Sequence, residues 1–231
     1  MKKRTIFGVG LALAMSTPAM SATNLLTNGS FEGGFTDWTI TNVGGGSAPV
    51  TFAYGSLGTH PFGAFGEPIG PNVVPSWSPD AVGTQLAYFS SDTANPDSLK
   101  QTINLVSGTM YNIGFDYYAP RNGIANPNDA SLSFLVNGIP VGSRRAGSVA
   151  GTPAATWINF ATSFVAGASG PAVFEFQFKG LGVAAADFAI DRVYVTAVPE
   201  PATWMMMLFG FGLLGHAMRR RTKLGQRQSF A

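Results

Sequence analysis

Residues 174–179 read Phe174-Glu175-Phe176-Gln177-Phe178-Lys179. Successive side chains of an extended chain point to opposite faces. The run therefore predicts a strand with three phenylalanines on a core and three polar residues in water. Tyr111-Asn112-Ile113-Gly114-Phe115-Asp116-Tyr117 alternates in the same way. Ser131-Leu132-Ser133-Phe134-Leu135-Val136 runs into Asn137-Gly138 and resumes as Ile139-Pro140-Val141. Asn-Gly supplies the positive φ angles of a type I′ turn, so a hairpin is expected there. Further strands are expected near residues 25–31, 37–43, 84–90, 98–106, 156–165 and 186–196. Nothing in the body sustains a helical period. Strands at this spacing predict an all-β protein, an antiparallel β-sandwich.

Composition agrees. The 29 glycines and 15 prolines make up roughly a fifth of 231 residues, above the usual share of about 12% but below that of a low-complexity chain. Hydrophobic residues at 45% supply a core. Charged residues are only 11%, under half the common value of about 25%, which excludes coiled coils and charge-rich disorder. The formal charge of +2 conceals a separation. Lys2, Lys3 and Arg4 lie at one end, and Arg219, Arg220, Arg221, Lys223 and Arg227 at the other. Between them, six basic residues face all 12 acidic ones. A nucleic-acid binder would carry its basic face on the folded domain, so that class is set aside. With no cysteine in the chain, disulfides, thiolate metal sites and a cysteine nucleophile are excluded.

The two ends read as targeting segments. In residues 1–22 a basic start precedes a short apolar run from Ile6 to Met15, then Pro18 and small residues, the pattern of a secretory signal peptide. At the other end, Ala202 to Met218 is apolar apart from Thr203 and His216. Its 17 residues would form a helix of about 25 Å, the lower limit for a single transmembrane helix. Arg219, Arg220 and Arg221 would stay cytoplasmic by the positive-inside rule, leaving residues 224–231 as a cytoplasmic tail and the body in the periplasm.

Pro199-Glu200-Pro201-Ala202-Thr203-Trp204, then Gly210-Phe211-Gly212-Leu213-Leu214-Gly215, then the arginine cluster form a three-part tail. Over residues 198–223 it resembles the PEP-CTERM sorting signal. The resemblance implies recognition of Pro199, Glu200 and Pro201 by an exosortase, a membrane protease-transpeptidase. It also implies sorting to the cell surface or an extracellular polysaccharide matrix. A plain tail-anchored periplasmic domain is the alternative.

Residues 23–197 form one expected domain. Its start, Asn24-Leu25-Leu26-Thr27-Asn28-Gly29-Ser30-Phe31-Glu32 with Trp38, resembles the opening of galactose-binding-like jelly-roll domains, which include several carbohydrate-binding modules. Its end, Phe188-Ala189-Ile190-Asp191-Arg192-Val193-Tyr194-Val195, resembles their closing strand. The resemblance implies a jelly-roll β-sandwich and a possible polysaccharide partner. It also implies a candidate structural calcium ion held by Glu32 and Asp191, although Arg192 stands where family members often carry a second Asp. Calcium takes six to eight oxygens, so backbone carbonyls such as those of Gly33 and Gly34 would have to join. The competing reading has both carboxylates capping turns.

Residues 44–83 are dense in glycine and proline, which excludes a central strand. Phe52, Tyr54, Phe62, Phe65 and Trp77 lie among them. Either these rings pin the segment to the sandwich, or Phe62, Phe65 and Trp77 form a stacking surface for sugar rings. Trp38 and Trp157 are expected in the core, and Tyr88-Phe89 and Tyr117-Tyr118 each place one ring on either face of a sheet. Arg144-Arg145 reads as a solvated loop. Catalytic residues are not found: His60 is the one histidine outside the tail, and no Gly-x-Ser-x-Gly elbow appears. The expectation is a non-enzyme requiring no cofactor, with a cryptic glycan-active hydrolase as the rival.

Overall fold

The structure, a computed structural model, describes residues 22–42, 47–198, 207–216 and 219. Its strands are β1 (Thr39–Thr41), β2 (Val50–Ala53), β3 (Gln85–Phe89), β4 (Asp97–Leu105), β5 (Met110–Tyr118), β6 (Ala130–Val136), β7 (Ile139–Ala146), β8 (Ile158–Val165), β9 (Gly170–Gly180) and β10 (Phe188–Ala197). One turn of helix, α1 (Arg121–Ile124), follows β5. The strands form two five-stranded sheets, ordered β1-β4-β9-β6-β7 and β2-β3-β10-β5-β8. All named pairings are antiparallel. Consecutive strands mostly change sheet, which is the connectivity of a jelly-roll β-sandwich.

Alternation builds the core between the sheets. Phe174, Phe176 and Phe178 of β9 are fully buried. They meet Phe115 of β5 and Phe188 of β10 edge-on, with Phe115 and Phe176 centroids 5.1 Å apart. Edge-to-face contacts of this kind add to area burial. Asn137 and Gly138 take φ of 51° and 75°, as the β6–β7 hairpin requires. Trp38 and Trp157 are buried as expected.

Four expectations need correction. Residues 25–31 form no strand: the backbone bends, with Asn28 and Phe31 at positive φ. The segment still follows β10, where Leu25 N donates to Val195 O and Val193 N to Gly29 O. The strand expected at 37–43 shrinks to Thr39–Thr41. Arg144 and Arg145 lie in β7, not in a loop; Arg144 covers the Phe160 ring at 3.8 Å, and Arg145 pairs with Asp129 at 2.8 Å. Sequence reasoning also missed β2, which sits at a sheet edge where a proline-rich neighbourhood is tolerated.

The glycine- and proline-rich segment covers the outer face of the second sheet. Phe52, Ala64, Ile69, Leu86, Tyr88, Tyr118, Trp157 and Ala189 form a second buried cluster there, with Tyr54 and Val74 packed against it. Tyr88 and Tyr118, the outward members of their pairs, are thus buried under the segment and offer no free stacking surface. Trp157 joins the layers: its indole N–H donates to Gly70 O at 2.9 Å, and its ring lies 5.4 Å from that of Tyr118.

The signal peptide falls almost wholly outside the described residues. So do Pro199, Glu200, Pro201, Arg220 and Arg221. Residues 207–216 are helical and every one is exposed. Among the described residues no helix is long and apolar enough to cross a membrane.

Trp157→Ala should lower stability by about 3–5 kcal/mol in denaturant unfolding, because it opens a cavity under the covering segment. Trp77→Ala, at a side chain 82% exposed, should stay within about 0.5 kcal/mol of wild type. Equal effects would mean that the segment does not pack as described.

Candidate functional site

Two polar clusters flank β10, and they differ in access. The first lies under the covering segment. Asp191 stays in register opposite Asp116, and Arg192 leaves the alternation at the β-bulge that follows, where the β10–β5 register shifts and Arg192 takes φ of 49°. A bulge places consecutive side chains on one face. Arg192 Nε donates to Asp116 Oδ2 at 2.6 Å, and Nη2 lies 2.5 Å from the same oxygen. Asn72 Nδ2 donates to Asp116 at 2.7 Å and to Asp191 at 3.3 Å, while Tyr54 donates its hydroxyl to Asp191 at 2.5 Å. Arg192 also donates to Val74 O. The cluster therefore ties Tyr54, Asn72 and Val74 of the covering segment to β5 and β10. Burial pushes the Asp191 carboxyl up to about 6, against the opposing hydrogen bonds of Tyr54, Arg192 N–H and Asn72.

This placement bears on the calcium expectation. Glu32 is elsewhere engaged: its carboxylate accepts from Thr84 N and Gln85 N, both at 2.8 Å, and from Thr84 Oγ1 at 3.1 Å. Asp191 accepts from Tyr54, Asn72 and Arg192 N at 2.7 Å. Both carboxylates face N–H and O–H donors, and Asn72, which donates to Asp191, also bonds the Arg192 guanidinium. Calcium wants a shell of oxygen lone pairs. The donor set does not fit an ion shared by Glu32 and Asp191. Among the described residues no three acidic or histidine side chains group as metal ligands.

The second cluster is open to solvent. A cleft of about 370 Å³ is lined by Ser47, Phe65, Ser90, Asp92, Asn122, Asn126, Ala184, Ala185 and Asp187. It forms where β3 ends and β10 begins; Phe89 pairs with Phe188, so Ser90 and Asp187 extend that pairing outward. α1 supplies the wall. Glu67 accepts from Arg121 N at 3.0 Å and Asn122 N at 2.9 Å, satisfying free donors at the start of that turn. Asn122 Nδ2 in turn donates to Phe65 O at 2.7 Å and fixes the aromatic residue at the rim. Gly123 lets α1 approach, since a Cβ there would lie 2.9 Å from Asp187 N. Asp92 accepts from Ala185 N at 2.6 Å, and Asn126 donates to Ala185 O at 2.5 Å.

Asp187 accepts the Tyr88 hydroxyl at 2.8 Å. Burial, with smaller contributions from Asp92 and Glu67, pushes its carboxyl up to about 7. Ser90 Oγ is buried and has no hydrogen-bond partner among the described residues, an uncommon condition. His60 stacks on Phe65 at 5.7 Å, and its Nε2 is likewise buried with no partner among the described residues. A larger depression of about 540 Å³ on the first sheet has no such group. Its Gln101 is bonded to Thr27, and its Lys100 is paired with Glu175.

The three aromatic residues expected to form one platform are not equivalent. Phe65, 43% exposed, lines the cleft and stacks over His60 beside Tyr88 of β3. Phe62 is 77% exposed, so it pins nothing. Trp77 follows Ser76, which is bonded to Asn159 of β8 at the far edge of the sheet, beyond β10 and β5. Sequence reasoning missed Ser90, Asp92, Asn122, Asn126 and Asp187. Only Asp187, immediately before the closing strand, had a local signal.

Residues 197–221 match the PEP-CTERM protein-sorting motif. No curated protein matches the sequence. Among solved structures the chain is similar to TmCBM61 in complex with β-1,4-galactotriose, at 17% identity over 77% of this chain and 100% of that one, with a TM-score of 0.45. It is similar to the CBM22-1 xylan-binding domain from Paenibacillus barcinonensis Xyn10C at 15% identity, 78% and 97% coverage and a TM-score of 0.45. It is also similar to a cyclase from Fischerella sp. TAU at 14% identity, 77% and 98% coverage and a TM-score of 0.48.

Asp187 and Asp191 bind protons more tightly in the folded chain than unfolded. The stability this contributes is complete below about pH 4 and is lost as pH rises through about 6 and about 7. The thermal midpoint should therefore be higher near pH 5 than near pH 8. Asp187→Asn, which keeps an acceptor for Tyr88, should flatten the upper part of that slope. A wild-type midpoint that rises between the two pH values would contradict the assignment.

Proposed function

We propose that this chain is an exported, non-catalytic glycan-binding protein that an exosortase sorts to the cell surface or the extracellular polysaccharide matrix. Residues 1–22 act as the signal peptide and residues 23–197 as the binding domain. Residues 202–218 span the inner membrane in the precursor, oriented by Arg219, Arg220 and Arg221. The sorting part of this reading is supported by the motif over residues 197–221.

The binding part rests on one observation: a solvent-open cleft with an aromatic ring at its rim and amide and carboxylate side chains along its walls. A sugar ring offers apolar C–H groups on its faces and hydroxyls around its edge. Phe65 suits the first, while Asn122, Asn126 and the carboxylates suit the second. Asp92 and Asp187 favour a neutral glycan over a uronate, by like-charge repulsion. A second reading has a specific basis: glycoside hydrolysis uses two carboxyl groups, one with a raised pKa, and this cleft holds Asp92 beside Asp187.

Glycan arrays followed by calorimetry test binding. Phe65→Ala should weaken a neutral glycan about tenfold, while Trp77→Ala should leave affinity unchanged. Equal loss from both changes would move the site away from the cleft. Release of shortened products by wild type but not by Asp187→Asn would favour the hydrolase.

Sorting is tested by replacing Pro199-Glu200-Pro201 with three alanines. The apolar length and the arginine cluster are untouched, so a plain anchor tolerates the change. A protease reading an extended, proline-held segment does not. In an exosortase-containing host the variant should accumulate as full-length precursor, whereas the native protein loses its tail by mass measurement. Retention of residues 202–231 by both would defeat the sorting reading.

A further inference from the structure

The end of the sandwich opposite the cleft is built from three chain segments that contain no charged residue. Residues 104–110 read Asn-Leu-Val-Ser-Gly-Thr-Met, residues 136–141 Val-Asn-Gly-Ile-Pro-Val, and residues 163–173 Ser-Phe-Val-Ala-Gly-Ala-Ser-Gly-Pro-Ala-Val. They are held together: Met110 pairs with Val165, Leu105 with Gly170, and Asn137 N donates to Val173 O at 2.8 Å. Val106, Met110, Ile139 and Val165 are exposed there, Ile139 at 68%. Ile139 and Val165 border a mainly apolar groove of about 390 Å³, lined also by Val136, Val141 and Phe164. Lys100 and Glu175, the nearest charges of the first sheet, neutralise each other at 3.3 Å. They lie five residues up β4 and β9, roughly 16 Å away.

This is also the end at which the chain leaves the domain. β10 finishes at Ala197 opposite Tyr111, and Val198 N donates to Met110 O at 2.8 Å. From Val198 to Ala202, where the apolar run begins, the chain can extend at most roughly 14 Å. The headgroup layer on each side of a bilayer is roughly 5–8 Å thick. A tail inserted from Ala202 therefore holds Met110 and its neighbours within reach of the interface. The remainder of the body is acidic, and anionic headgroups repel it. Val106, Met110, Ile139 and Val165 can approach without desolvating a charged side chain.

We propose that this end, centred on Val106, Met110, Ile139 and Val165, rests in the interface of the membrane that holds the chain's own C-terminal segment. The cleft bearing Phe65, Asp92 and Asp187 then points away from the bilayer, because Asp187 and Ala197 stand at opposite ends of β10, roughly 30 Å apart. The inference rests on the membrane-anchored precursor proposed above and adds an orientation to it.

The absence of cysteine makes the test direct. Ile139→Cys, Val165→Cys, Trp77→Cys and Leu213→Cys are each introduced into the full-length chain, purified from a host lacking exosortase. Each is labelled with an environment-sensitive fluorophore and reconstituted into phosphatidylethanolamine–phosphatidylglycerol vesicles carrying nitroxide-labelled acyl chains. Probes at 139 and 165 should be quenched at least about twofold more than the probe at 77, as interfacial burial requires, and the probe at 213 should be quenched as well. Quenching at 213 without quenching at 139 and 165 overturns the docking and leaves the anchor standing. No quenching at 213 overturns both. Shielding at 139 and 165 that grows with protein density but is insensitive to the nitroxide lipid assigns the face to a second copy of the chain and overturns the proposal.

Discussion

The ion pair between Arg192 and Asp116 is the contact on which the second sheet and its covering segment depend. Two charges buried together recover their desolvation only if their remaining hydrogen-bonding capacity is filled. Here Asn72, Val74 and Asn159 fill it. Two of those three residues belong to the covering segment, so the pair is complete only when that segment is in place. A buried pair deprived of one partner is costly, by about 3–5 kcal/mol. The polar cluster thus specifies where the segment lies, while Phe52, Ile69, Tyr88 and Trp157 provide the apolar area that keeps it there.

The position of the segment decides what the sandwich exposes. The outer face of the second sheet carries Tyr88 and Tyr118, which would be a plausible sugar platform if bare. Covered, those rings become core, and the accessible chemistry moves to the end of β3 and the start of β10. There Glu67 and Phe65, both from the segment, meet α1 through Arg121 and Asn122. The cleft is therefore assembled from parts more than 100 residues apart, from Ser47 to Asp187. The raised carboxyl of Asp187 follows from the same covering, since burial is the main cause of the shift.

Charge is arranged along the long axis of the sandwich. Asp92, Asp187, Glu67 and Arg121 surround the cleft end, whereas residues 104–110, 136–141 and 163–173 at the end from which the tail departs carry no charged side chain and are rich in valine. A body of acidic character with one neutral, apolar end has a built-in polarity relative to any surface it approaches. The exposed helix of residues 207–216 adds apolar surface that the sandwich does not cover.

The alternation of Phe174, Phe176 and Phe178, the Asn137-Gly138 turn and the ordered parts of the tail were legible because each is a local rule with a period or a fixed order. β3 to β6 and β8 to β10 followed from that alternation, and so did the sandwich. The irregular course of residues 25–31 was not legible: its residues suit a strand, but the chain turns at Asn28, whose side chain is bonded to Gly33, Gly34 and Thr36. The roles of Glu32 and Asp191 were likewise hidden, since a carboxylate's partners come from whichever donors the fold brings near, here Thr84 and Gln85 for one and Tyr54 and Asn72 for the other. The sequence by itself determined the class of fold, the sorting motif and the separation of charge, all of which depend on neighbours along the chain. Only the tertiary structure decided that the proline-rich segment covers a sheet and that Phe65, Ser90, Asp92 and Asp187 share a cleft, because burial and hydrogen bonding act between residues that are distant in sequence.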